Sequence, residues 1–228
     1  NIVQFTPTWS VVAGGGTVGG TGMFTAGAAA GTYTNTVQAS AGGLTGTATV
    51  TVVPGPLASI TLTPNPVTLY VGATQQFTAV GKDATGNIVS MTPVWSVVAG
   101  GGTINGAGLF TAGTTPGTFT NTVKVTSGAF SSTATVIVTA GPLATITVSP
   151  TPATLAVNGT QQFSAVGKDI GGNVVAISPT WTVVAGGGAV GNTGLFTAGT
   201  LIGTYTNTIR ASSAGIAGYA TVNVTSGP

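Results

Sequence analysis

The sequence predicts an all-β protein made of repeated two-sheet sandwich units, and three observations lead to this prediction. The first is composition: the 228 residues include 38 Gly and 45 Thr, and 42% are hydrophobic. Thr and the β-branched apolar residues favour strands, and Gly is typical of turns. The second is a repeat of 86 residues along the chain. The third is alternation of apolar and polar residues over short segments that end in turn residues.

The 86-residue period divides the chain into units of small-domain size. We expect a partial domain at 1–56, which lacks its first strands, and complete domains at 57–142 and 143–228. Two accounts of the partial unit stay open: the chain is part of a longer array, or another molecule donates the strands. The period is marked by residues that recur at this step: Trp9, Trp95 and Trp181; Pro56, Pro142 and Pro228; Asn1, Asn87 and Asn173.

In the first half of the unit 57–142, alternation places three strands. The first alternates Ile and Leu with Thr and ends at Pro64, and the third puts Phe77 on the inner face. Residues 82–87 are then expected to form a turn, because Asp, Gly and Asn tolerate the backbone angles that turns require. The expected strands, in order, are 60–63, 67–71 and 75–80.

In the second half of this unit, alternation predicts five more strands: 94–98, 103–104, 109–111, 117–126 and 133–138. Glycines at 100–102 separate the first two of them. The polar residues that alternate along 117–126 are expected to face solvent: Thr118, Thr120, Thr122 and Lys124. Seven or eight short strands in fewer than 90 residues are typical of a two-sheet sandwich.

Large aromatic residues inside apolar strands are predicted to form the cores. The Trp residues could instead stack on sugars, but their valine neighbours favour burial. A hydroxyl hydrogen bond of the tyrosine-corner type is open to Tyr33 and Tyr205, whereas Phe119 at the equivalent position can only pack its ring. The expected core residues are Trp9, Trp95, Trp181, Phe77, Phe163, Tyr33, Phe119 and Tyr205.

Several segments of the unit 57–142, taken together, resemble the bacterial immunoglobulin-like domain of group 2. The resemblance implies tandem immunoglobulin-like β-sandwich domains of the kind found in adhesins, invasins, surface-layer proteins and extracellular stalks, with no catalytic site. Acidic clusters are missing at the junctions, so linkers stiffened by calcium are not expected. The segments are 59–79, 82–87, Trp95, 108–113 and 133–138.

The small number of charges excludes many function classes. The chain has no His, Cys or Glu and carries six charged side chains: Lys82, Lys124, Lys168, Arg210, Asp83 and Asp169. Metal sites and acid–base catalysis need residues that are missing or far apart, so we expect no enzyme, cofactor or metal. Four scattered cations form no nucleic-acid surface, and no apolar run is long enough to insert into a membrane.

For each single motif, a structural role in a turn or on the surface is favoured over a role in binding or catalysis. The glycines at 14–19 spell a dinucleotide fingerprint, but no acidic residue follows at the required distance. Asp83 and Asp169 could each bind calcium, yet one carboxylate per unit is too few. A solvated turn, or a pair with the neighbouring lysine, is the preferred interpretation. Lys124 and Arg210 are interpreted as solvated cations, because isopeptide chemistry generally needs a buried acid.

The sequence favours a structural module of an extracellular or cell-surface filament, stalk or fibre from a prokaryote. The short junctions are marked by Pro54, Pro56 and Pro142, which indicates a semi-rigid rod. Weak charge repulsion favours axial or lateral contact with copies of the same chain. Surface glycans are a second class of partner. The alternative is an adhesin or carbohydrate-binding array that uses loops 100–108 or 114–117.

Overall fold

The computed structural model describes residues 4–227, so Asn1 and Pro228 of the periodic positions lie outside it. In the described part of the first copy, β1 lies at the edge of a three-stranded sheet of order β1-β4-β5, and β2 pairs with β3. The strands are β1 (Thr8–Val11), β2 (Gly16–Val18), β3 (Phe24–Ala26), β4 (Gly31–Ala41) and β5 (Leu44–Val52).

The segment 57–142 forms a sandwich. Its strands are β6 (Ser59–Thr63), β7 (Val67–Tyr70), β8 (Thr74–Gln76), β9 (Thr78–Lys82), β10 (Ile88–Val89), β11 (Val94–Val97), β12 (Gly102–Ile104), β13 (Leu109–Ala112), β14 (Gly117–Ser127) and β15 (Phe130–Thr139). One layer is the sheet β11-β14-β15-β7, and the other contains β10-β9-β6 and β12-β13-β8. In the first layer, β14 and β15 pair antiparallel, whereas β7 and β15 run parallel.

The segment 143–227 repeats this pattern strand for strand. Its sheets are β17-β25-β24-β21 on one side, with β16-β19-β20 and β18-β23-β22 on the other. The strands are β16 (Thr145–Ser149), β17 (Ala153–Ala156), β18 (Thr160–Gln162), β19 (Ser164–Lys168), β20 (Val174–Val175), β21 (Thr180–Val183), β22 (Gly188–Val190), β23 (Leu195–Ala198), β24 (Gly203–Ser213) and β25 (Ile216–Thr225). The expected all-β tandem architecture is confirmed.

Each of these two segments has its own apolar core between the layers. In the first, Phe77 and Phe110 meet edge to face with ring centroids 6.1 Å apart. In the second, Phe163 and Phe196 do the same at 6.2 Å. β-Branched residues from the last two strands of each sandwich complete the cores, among them Val123, Val125 and Val136 in the first and Ile209, Val222 and Val224 in the second.

The aromatic residues expected in the cores occupy two kinds of position. Phe77 and Phe163 are each 1% exposed. The other six are half-buried: Trp9, Trp95, Trp181, Tyr33, Phe119 and Tyr205. The indole of Trp95 lies against Gly108, where an added Cβ would come within 2.9 Å of the ring. Phe110 and Phe196, which were not among the expected core residues, are 0% exposed.

Two details of the expected strands are corrected. The segment expected as one strand at 75–80 divides at Phe77, whose N–H donates to the carbonyl of Gly108 at 2.9 Å. As a result, β8 pairs with β13, whereas β9 pairs with β6 and β10. The second correction concerns Thr122, which was expected to face solvent and is instead 0% exposed.

A bulge explains the burial of Thr122. The pairing of β14 with β15 shifts register between Phe119 and Val123, and Asn121 within this shift has φ of 53°. Between these two pairs β14 advances by four residues and β15 by two, so the shift leaves two extra residues in β14, and Val123 and Val125 keep the inward side expected for them. Within the shift the regular alternation is interrupted, and the Thr122 hydroxyl turns inward and donates to the carbonyl of Gly100 at 2.5 Å.

Candidate functional site: the junctions between units

The junction between the two sandwiches is short and contains a buried glycine. β15 ends at Thr139 and β16 begins at Thr145. Within this segment Pro142 is exposed, whereas Gly141 is buried. At the preceding junction, Pro54 and Pro56 are both exposed. The prolines restrict the backbone, but other residues make the contacts across the junction.

A tight turn between β19 and β20 supplies these contacts. The N–H of Asp169 donates to the carbonyl of Asn173 at 2.9 Å, and the N–H of Gly172 donates to the carbonyl of Asp169 at 3.1 Å. Gly172 has φ of 84°, a conformation that is readily available to glycine. This turn directs the Asp169 carboxylate towards the preceding linker.

Asp169 and Asn173 bind the preceding unit at two places. The N–H of Gly141 donates to Oδ2 of Asp169 at 2.8 Å. The Asn173 side chain donates from Nδ2 to the carbonyl of Thr114, which lies in the loop between β13 and β14, at 2.9 Å. The same Nδ2 also donates to Oδ2 of Asp169 at 3.0 Å. One turn therefore contacts both the linker and a separate loop of the preceding unit.

The first junction repeats the arrangement 86 residues earlier. The N–H of Gly55 donates to Oδ2 of Asp83 at 2.8 Å, and Asn87 donates from Nδ2 to the carbonyl of Ala28 at 2.8 Å. In addition, the N–H of Ala30 donates to Oδ1 of Asn87 at 2.9 Å. The equivalent of Ala30 at the second junction is Pro116, which has no N–H to donate.

Hydrogen bonding keeps both carboxyl groups ionised. The side-chain hydrogen bond from Asn87 holds the pKa of Asp83 well below its usual range; burial opposes this effect, and the N–H of Gly55 adds to it. At Asp169, burial acts to raise the pKa, but the hydrogen bonds from Asn173 and Gly141 outweigh it and lower the pKa. A carboxylate that accepts several N–H groups favours its charged form.

The interpretation of Asp83 and Asp169 as members of solvated turns is wrong. The two residues are 6% and 3% exposed, respectively. Their burial could not be inferred from the turn alone, because the donor is a glycine 28 residues earlier in the chain. The available signal was the recurrence of Gly-Pro and of Asp with Asn four residues later at the same 86-residue step. Within residues 4–227, no group of three or more His, Cys, Asp or Glu residues could hold a metal ion.

The glycine-rich loops and the two tyrosines make packing contacts and hydrogen bonds within their own units. The glycines at 14–16 and 100–102 pack on aromatic rings: an added Cβ at Gly101 would lie 2.5 Å from the ring of Phe119. Tyr33 donates its hydroxyl to the carbonyl of Ala29 at 3.0 Å, and Tyr205 makes the same bond to the carbonyl of Leu201. The hydrogen bond left open for the two tyrosines is therefore present.

Lys124 and Arg210 are half-buried in the sheets. Lys124 lies opposite Ser96 on β11, and Arg210 lies opposite Thr182 on β21. The hydroxyl of Thr182 is buried without a hydrogen-bond partner among the described residues. The strand partners of the two cations are thus hydroxyl residues rather than acids.

A curated sequence relative is similar to part of the chain. No family model matches the sequence. Ice-binding protein 1 of Shewanella frigidimarina is 34% identical over 137 residues, which cover 55% of this chain. The chain spans about 15% of the length of that relative.

Among solved structures, the Escherichia coli adhesin FdeC superimposes with a TM-score of 0.54 at 22% sequence identity, covering 99% of this chain and 87% of that chain. A segment of mouse cadherin-23 superimposes with a TM-score of 0.46 at 14% identity, covering 84% of this chain and 74% of that chain. The similarity to FdeC and the strand order show that the chain has an immunoglobulin-like fold.

In the described residues, no helix has the length and hydrophobicity to cross a membrane.

Proposed function

We propose that the chain is a structural module of an extracellular filament, stalk or cell-surface fibre of a prokaryote. In this proposal it consists of tandem bacterial immunoglobulin-like domains of group 2, with boundaries at 1–56, 57–142 and 143–228. The observation that carries the proposal is that a carboxylate of each following unit binds the linker before it, at Gly55 and at Gly141. Units linked in this way act as a rod rather than as beads on a flexible string.

The surface of the rod supports contact with copies of the same chain. Six charged residues among 228 leave little electrostatic repulsion between neighbouring rods. The valine that follows the Trp strand is exposed in every copy: Val12 by 57%, Val98 by 58% and Val184 by 54%. Because these valines recur at the 86-residue step, two rods could meet at several equivalent places along their length.

An adhesin or carbohydrate-binding array is the alternative. The fold similarity to FdeC, which is described as an adhesin, extends over almost the whole chain. Against binding through loop tips, the loops 100–108 and 114–117 contain no Trp, Tyr or Phe. The Shewanella relative is named for ice binding, but the match covers about 15% of it, which supports a shared module and not a shared ligand.

Sedimentation and electron microscopy test the proposal. The purified chain should associate as its concentration rises at low salt, and the product should be ordered fibres whose axial repeat equals one or a few units. A chain that stays monomeric at high concentration contradicts self-assembly. Isolated rods that bind a glycan surface instead favour the alternative. The measurement should be made near pH 7, where the net charge of +2 is small.

A further inference from the structure

We propose that Asp83 and Asp169 are positioning residues that set the orientation between successive units without a metal ion. Each carboxylate and the asparagine four residues later form a junction clasp: Asp83 with Asn87, and Asp169 with Asn173. This inference goes beyond the proposed function, because the clasp would orient the units whether or not the rods assemble into fibres.

The chemistry of the clasp requires a carboxylate. Oδ2 of Asp169 accepts from the N–H of Gly141 and from Nδ2 of Asn173. Oδ1 accepts from the N–H of Asn173 at 2.8 Å and from its Nδ2 at 3.2 Å. Both oxygens therefore face donors, and a carboxylate is acceptor-only on both sides. An amide at position 169 would place its NH₂ group against an N–H in either of its two orientations.

The clasp attaches to the preceding unit at two separated points. A single hydrogen bond to the linker at Gly141 would leave the units free to rotate about it. The second bond, from Asn173 to the carbonyl of Thr114, is made to a different loop. Two attachments that lie apart in space restrict rotation as well as separation. The side chain of Asn173 connects them, since it also donates to the Asp169 carboxylate.

Burial strengthens these bonds. Asp169 is 3% exposed and Gly141 is also buried, so water competes poorly for their hydrogen bond. An added Cβ at Gly141 would lie 3.5 Å from Cγ2 of Val71, a residue of the preceding unit. Charge-assisted hydrogen bonds are about twice as strong as neutral ones, and a low local dielectric increases their strength further. The junction is thus held by the chain's own ionised groups.

The recurrence of the clasp is an independent argument for its role. Asp83 accepts from the N–H of Gly55, and Asn87 donates to Ala28, in the same arrangement as at the second junction. The extra bond from Ala30 to Asn87 has no counterpart at Pro116. We therefore expect the first junction to allow less angular motion than the second.

Distance measurements between spin labels test the proposal on the whole chain. Because the sequence contains no Cys, labels can be placed at will. Thr118→Cys and Thr204→Cys occupy equivalent exposed positions in β14 and β24. In the otherwise native chain, the distribution of label distances should be narrow, and it should be unchanged when a chelator removes divalent cations.

Asp169→Asn and Asn173→Ala should each broaden that distribution while circular dichroism still reports folded sandwiches. The matched control is Lys168→Gln, which changes a charge at the neighbouring exposed residue and should leave the distribution narrow. A narrow distribution in both clasp variants would overturn the proposal. So would broadening by the chelator alone, because a metal ion would then be holding the junction.

The first junction offers a second, separate measurement. There, the distribution of distances between spin labels at Thr32→Cys and Thr118→Cys is compared with and without Asp83→Asn. Lys82→Gln is the control. If Asp169→Asn does not fold, Asn173→Ala and the Asp83 variant still decide the question. A distribution at the first junction that is unaffected by Asp83→Asn would contradict the proposal at that site.

Discussion

At the scale of single residues, the buried threonine of each bulge connects its strand to a neighbouring loop through one hydroxyl. Thr36, Thr122 and Thr208 are each 0% exposed. Their hydroxyls donate to carbonyls in the glycine-rich loops, at Gly14, Gly100 and Gly186. Each bond joins a bulged strand to the loop beside it. Without the hydroxyl, the loop carbonyl would lose its partner.

Thr122→Val should therefore destabilise the unit 57–142 by about 1–3 kcal/mol, because valine matches the shape of threonine but cannot donate. Thr120→Val is the control. Thr120 is exposed two residues earlier in β14, and such surface changes usually stay within about 0.5 kcal/mol. Denaturant unfolding of both variants measures the difference. Equal stabilities of the two would contradict the role assigned to the buried hydroxyl.

The two aspartates determine how stability depends on pH. Their folded-state pKa values are lowered, so their contribution is fully present above the unfolded pKa of about 3.9 and is lost as pH falls through the folded pKa values. Since the chain has no Glu or His, the melting temperature should be nearly constant from about pH 5 to 9 and should fall below about pH 4.

Thermal melts across this range test the pH prediction. The chain in which Asp83→Asn and Asp169→Asn are combined is the control, and it should lose most of the fall in acid. A large decrease in melting temperature between about pH 6 and pH 5 in the native chain would show that the two carboxylates are not the groups responsible.

At the scale of elements, the glycine-rich loop after β11 is shaped by the aromatic ring beneath it. Gly101 has φ of 85°, and the ring of Phe119 on β14 lies where its Cβ would be. Tyr33 and Tyr205 lie in the same way against Gly15 and Gly187. The loop is therefore a tightly packed cover over a half-buried ring.

Gly101→Ala should destabilise the unit by at least about 1 kcal/mol, because a non-glycine residue in this backbone region costs about 1–3 kcal/mol before the clash with the ring is counted. Gly106→Ala is the matched control. Gly106 is exposed in the next loop, and an added Cβ there would have nothing within 4 Å. Chemical denaturation compares the two. An equal effect of both variants would contradict this packing account.

At the scale of the whole molecule, the proposed division into domains predicts independent folding. Among the described residues, the core around Phe77 and Phe110 contains only residues of the unit 57–142, and the core around Phe163 contains only residues of 143–228. Each segment expressed alone should give a β-type circular dichroism spectrum and one cooperative melt. A segment that stays unfolded alone but folds within the whole chain would contradict the proposed boundaries.

Much of the fold could be predicted, because alternation indicates which side of a strand is buried and the repeat indicates that the same unit recurs along the chain. The strand expected at 117–126 appears as β14, Gly117–Ser127. The buried side of its second half was also predicted, at Val123 and Val125. Thr122 was misplaced because alternation assumes an unbroken strand, and the bulge at Asn121 breaks it. Phe110 was missed because Leu109 and Phe110 are adjacent large apolar residues in the short strand β13, and alternation does not show which of the two faces the core.

The junctions mark the limit of prediction from sequence. Pro54, Pro56 and Pro142 were expected at the junctions because the Gly-Pro pairs recur in the chain itself, and they lie between β5 and β6 and between β15 and β16. The roles of Asp83 and Asp169 were not visible, because burial of a carboxylate depends on a donor that is brought close only when the units pack. The sequence by itself determined the all-β class, the period and the scarcity of charge, which are properties of neighbouring or equally spaced residues. The tertiary structure alone decided which polar groups are buried and what they bind, because that depends on distances between residues far apart in the chain.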